Sequence, residues 1–175
     1  MYWINLPLIL SSFTFAIPCV VAFELQNVSS AICWGSLAVT SSLVHATKKP
    51  YHLHGPNNCI PWLYAMDIIV LYCVAIQSMI DGWQSGPIGL FLSTSVIGYS
   101  AILFYGGKAY KKFVYDTSIE TQILSHLSTH LLSSFGGCAV LLLRSYCKGS
   151  LISLHCVSFC EQHPSHLLHS DAAFP

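Results

Sequence analysis

His126 and His130 stand four residues apart in an apolar stretch, 119–143, whose one formal charge is Glu120. On a helix that spacing projects both rings from one face, with their Cβ atoms roughly 5–6 Å apart. Two imidazoles so placed can share a metal ion. Polar side chains at membrane depth are costly, and those found there point to function. Further ligands for such a pair must come from other segments, and the chain offers His45, Asp67 and Ser41 in two other apolar stretches.

The 175 residues are 54% hydrophobic and 8% charged, against about 25% charged in a typical soluble domain. The composition therefore points to an integral membrane protein. Net charge is zero with histidine neutral, so the basic footprint of a nucleic-acid binder is missing. Four of the eight cysteines, Cys19, Cys33, Cys73 and Cys138, fall within apolar runs and read as small hydrophobes rather than bridges. The first residues lack Lys and Arg and the first apolar run is long, so that run reads as a membrane helix rather than a cleavable signal.

About 20 apolar residues are needed to cross the hydrocarbon core. Five stretches qualify: 5–24, 28–47, 61–80, 87–106 and 119–143. Pro18 predicts a kink in the first. Pro61 and Pro87 sit where an N1 proline starts a helix, and Gly106-Gly107 punctuates the end of the fourth. Residues 1–144 thus predict an all-α integral membrane bundle of about five transmembrane helices. Residues 145–175, rich in Ser, His, Cys and Pro, read as a short C-terminal tail whose composition does not require order. Cys156, Cys160 and His163 there do not follow a standard zinc spacing.

If the helices alternate in direction, Lys48, Lys49, Lys108, Lys111 and Lys112 share one face with the N-terminus. The positive-inside tendency turns that face to the cytosol of an endomembrane (ER or Golgi) or plasma membrane. Tyr105, Tyr110, Phe113 and Tyr115 beside the lysines form an interfacial belt. The sequon Asn27-Val28-Ser29 falls on the opposite face, close to the membrane.

Alternation also brings the polar residues to one level. At 1.5 Å per residue, Asp67 and His126 lie roughly 9–10 Å below their helix starts, with His130 about 6 Å deeper. His45 reaches that layer if its helix continues through the snorkelling Lys48 and Lys49, and Ser41 lies one turn deeper on the same face. Three neutral imidazoles suit Zn²⁺ and leave a fourth position for water. The metal acidifies that water and polarises a carbonyl. Asp67 would orient the water or take its proton, and Ser41 would bond the water or the developing oxyanion.

The order Ser41-x3-His45, then Asp67, then His126-x3-His130, each group on its own helix, resembles the CREST superfamily of membrane proteins, which includes alkaline ceramidases and the adiponectin- and progestin-type receptors. The resemblance covers 41–130 and rests on short motifs taken together. It implies zinc ligation by His45, His126 and His130, water orientation by Asp67 and Ser41, and hydrolysis of a lipid amide such as ceramide drawn from the bilayer. That family has seven helices where this chain predicts five.

Other readings stay open. His45 taken alone could be an interfacial residue at a helix end, Asp67 could cap or hydrogen-bond a neighbouring helix, His126 and His130 could be interhelical hydrogen-bond donors, and Ser41 is an ordinary intramembrane hydroxyl. His52 and His54 could replace His45 as the third ligand. His45 with His126 or His130 could also form a bis-imidazole haem site for electron transfer. Lastly, the chain could be a non-enzymatic bundle, joining other membrane proteins through small-residue faces such as Gly98 to Ser100 or Gly136-Gly137.

Overall fold

Apolar runs separated by short polar turns give an all-α structure. The structure, a computed structural model, describes residues 6–47 and 60–161, the last twelve of them by backbone alone. Five helices are long and apolar enough to cross a membrane. They are α1 (Leu6–Glu24), α2 (Val28–Thr47), α3 (Pro61–Gln84), α4 (Gly86–Tyr110) and α5, described as helix over Ile119–Glu161. There is no strand among the described residues.

The local chemistry explains where each helix bends or stops. In α1 the helix tightens to 3₁₀ geometry at Phe13–Phe15. Pro18 cannot donate to the carbonyl four residues back, that of Thr14, so the expected disturbance falls one turn before the proline. The α1–α2 turn has the Schellman pattern: Gln26 is left-handed at φ 56°, Asn27 N–H donates to Ala22 O at 2.8 Å and Gln26 N–H to Phe23 O at 2.9 Å. Pro61 begins α3 after an extended Ile60, as an N1 proline should. Gly86, at φ 80°, makes the sharp α3–α4 turn that a residue with a Cβ would resist.

Two boundaries differ from those read in the sequence. Gly106-Gly107 does not end α4: residues Ile102–Gly106 form a π turn and the helix runs on to Tyr110. A Cβ on Gly107 would stand 2.7 Å from Lys112 O, so this glycine serves the close return of the chain. Helix α5 is described through Glu161, past the boundary at 145 read from composition. Residues 145–161 contain no proline and a single glycine, Gly149, so nothing in the backbone forces a stop. Of the Cys156, Cys160 and His163 group, the two cysteines have no described side chains and His163 lies outside the described residues.

Each helix packs on its sequence neighbour, and α5 returns against α1 to close a ring. Small residues let the rods approach. A Cβ on Gly82 would meet Ser93 Oγ at 2.3 Å, one on Gly136 would meet Val96 at 2.6 Å, and one on Gly137 would meet Trp34 at 2.5 Å. Gly136 and Gly137 thus serve close approaches inside the bundle, to Val96 and Trp34. The exposed apolar residues of α3 and α4, such as Trp62, Ile69, Ile76, Ile88 and Phe91, suit lipid. Cys19, Cys33, Cys73, Cys138 and Cys147 are free thiols, and Cys73 is exposed rather than buried.

A polar knot holds one end of the ring. Asp81 on α3 is buried and paired with Arg144 of α5. It also accepts from Ser30 at 2.5 Å, Gln77 at 3.1 Å and Asn27 at 3.2 Å. Ser85 Oγ reaches both Asp81 O at 2.6 Å and Val140 O at 3.1 Å. The sequon asparagine is thus committed to a buried carboxylate.

Removing one partner of a buried ion pair costs about 3–5 kcal/mol. Arg144→Leu should accordingly lower the unfolding midpoint of the detergent-solubilised protein far more than Asp81→Asn/Arg144→Leu together, as read by circular dichroism melts. Gly137→Val should also destabilise, by about 1–3 kcal/mol of overpacking against Trp34, measured in the same way.

Candidate metal centre

The last turn of α2 and the second and third turns of α5 lie side by side, bringing His45, His126 and His130 into one group. All three are buried, at 2%, 6% and 5% exposure. One ring nitrogen from each lies within 4.8 Å of the others. Ring centroids are 4.8 Å apart for His45–His126, 5.4 Å for His45–His130 and 4.7 Å for His126–His130. Nitrogens at about 2.0–2.1 Å from a tetrahedral ion stand roughly 3.3 Å from one another. Small ring rotations would therefore bring these three onto a common ion. Three neutral donors without a carboxylate among them make a set that suits zinc.

The surroundings restrain the rings. Phe15 of α1 lies 4.9 Å from the His130 ring, and Phe104, in the π turn of α4, lies edge-on to His126 at 5.4 Å. Ser11 Oγ is 2.7 Å from His130 Nδ1. Hydrogen-bonding a ligand's other ring nitrogen is the usual way of orienting it toward a metal.

Ser41 is buried one turn below His45 and bonds Ser12 of α1 at 3.0 Å. Asp67, half-buried on α3, accepts from Thr40 at 2.9 Å. Both line the cavity that the three histidines line, while Asp67 stands outside the three-ligand group. His52 and His54 lie outside the described residues. Sequence reading missed Ser11 and Ser12. Their signal is the spacing Leu8, Ser11, Ser12, Phe15, which marks one face of α1 and puts two hydroxyls within it.

The cavity has a volume of about 370 Å³ and is mainly apolar, with Trp34, Leu37, Val74, Val96 and Ile97 on its walls. Its lining includes Lys108, Tyr115 and His126 as well as Val140, further along α5. The 14 steps along α5 from 126 to 140 correspond to about 21 Å of helix. Tyr115, in the turn between α4 and α5, has its phenol pushed above the usual value by burial, with nearby Tyr105 adding to the effect.

No family model, no curated protein and no solved structure matches the chain. Five apolar helices around a buried three-histidine cluster are compatible with a membrane metal-binding protein. If the cluster holds a metal ion, His45→Ala, His126→Ala and His130→Ala should each lower the metal content of the purified protein, counted by elemental analysis.

Proposed function

We propose that this protein is a zinc-dependent membrane hydrolase acting on a lipid amide such as ceramide. The observation that carries the reading is the meeting of three buried imidazoles with a long apolar cavity, whose walls also hold Ser41 and Asp67. The resemblance of these residues, in their order, to those of CREST hydrolases supports it. His45, His126 and His130 would hold the ion. A zinc ion on three imidazoles supplies a water acidified toward neutrality and a Lewis acid for the scissile carbonyl.

The chain's own residues divide the remaining work. Thr40 restrains Oδ1 of Asp67, which fixes the carboxylate at the cavity wall as an acceptor for the proton of the attacking water. The Ser41 hydroxyl orients that water. Trp34, Leu37 and Val96 shield an acyl chain lying along the bundle and keep bulk water from the amide. In this reading the lysine-rich end, with Lys108 at the cavity mouth, faces the cytosol.

A bis-imidazole haem needs its two rings on opposite sides of the macrocycle. Here three rings crowd together at centroid separations of 4.7–5.4 Å, which leaves no slab for one between them.

Asp67→Asn should keep one equivalent of zinc and lose about 10²- to 10⁴-fold of turnover, the usual contribution of a positioned acid or base, in a fluorescent-ceramide assay with detergent-solubilised protein. Stoichiometric zinc retained by His126→Ala/His130→Ala would remove the proposal, as would a Soret band in the purified wild type.

A further inference from the structure

We infer that Ser11 is a positioning residue for the histidine cluster: it accepts the Nδ1 hydrogen of His130 and so holds that ring in the tautomer whose Nε2 carries the lone pair. The use made of that lone pair rests on the zinc reading above. The tautomer itself follows from hydrogen bookkeeping within the bundle.

Ser11 is buried, and its Oγ lies 3.0 Å from Leu8 O and 2.7 Å from His130 Nδ1. A hydroxyl has one hydrogen, and a backbone carbonyl can only accept. With both contacts made, the hydroxyl hydrogen goes to Leu8 and the ring must donate. A neutral imidazole carries a single N–H, so Nδ1–H leaves Nε2 as the acceptor, the nitrogen a metal requires. Phe15, one turn beyond Ser11 on the same face of α1, packs on the ring and restricts its rotation.

Ser12 repeats the pattern. Its Oγ donates to the same Leu8 carbonyl at 2.8 Å, so its 3.0 Å contact with Ser41 uses the hydrogen of Ser41. Ser41 is left with acceptor capacity alone. It can take a hydrogen from the reacting water and cannot donate to a developing oxyanion, which selects one of the two roles the sequence left open for it. One carbonyl on α1 thereby sets hydrogen direction toward a metal ligand and toward a residue that touches the water.

The test uses the full-length protein labelled with ¹⁵N-histidine in detergent and stripped of metal. Long-range ¹⁵N–¹H correlation, with His130 assigned by its loss in His130→Ala, should show the Nδ1–H tautomer in the wild type. Ser11→Ala should give mixed tautomers and weaken zinc binding about 10- to 100-fold, the usual effect of removing a partner behind a ligand. Ser11→Thr, which keeps the hydroxyl, should restore both. An Nε2–H tautomer of His130 in the wild type would overturn the inference. So would a Ser11→Ala protein with unchanged tautomer and unchanged zinc affinity. If the wild type shows Nδ1–H and yet takes up no zinc, the metal reading fails while the assignment of Ser11 stands.

Discussion

A carboxylate and a guanidinium taken out of water at the edge of a bilayer must neutralise one another, because lipid offers neither of them a partner. Asp81 and Arg144 do so here, and Ser30, Gln77 and Asn27 bond the same carboxylate. The pair ties α3 to α5, while Asn27 and Ser30 bring in the α1–α2 turn and the start of α2. The cavity runs from this knot, at Val140, to the histidines toward the other end of the bundle.

Bilayer physics also explains how the wide ring holds. Apolar burial does little to drive helices together in lipid, so close packing and hydrogen bonds must do so. Gly82, Gly136 and Gly137 provide the close approaches. The serines of α1 provide bonds at the other end, Ser11 to α5 and Ser12 to α2. The groups that orient the histidine cluster are therefore also the groups that attach α1 to the ring. Site geometry and helix association share the same hydroxyls.

Much of the architecture was legible in the chain because it depends on local properties. Span length follows from runs of apolar residues, and Pro61 and Pro87 mark helix starts by lacking an N–H. The pairing of His126 with His130 follows from 3.6 residues per turn. The placement of His45 in the same layer follows from alternation of helix direction and equal rise per residue. Gly106-Gly107 misled because glycine permits a break without requiring one, and here it serves a close backbone approach. The change of composition after Arg144 does not mark the helix end, because polar character alone does not stop a helix that meets no proline.

What the sequence by itself determined was the membrane class, the five rods and the level at which their polar residues lie, since each is set within a single helix. Which faces turn inward was decided only in the folded ring, where α5 returns against α1 and the partners of each hydroxyl are chosen. The Asp81–Arg144 pair joins residues 63 positions apart, and the Ser11–His130 bond joins residues 119 apart. No periodicity along the chain encodes such contacts, because they arise from how separate helices rotate until each buried polar group is matched.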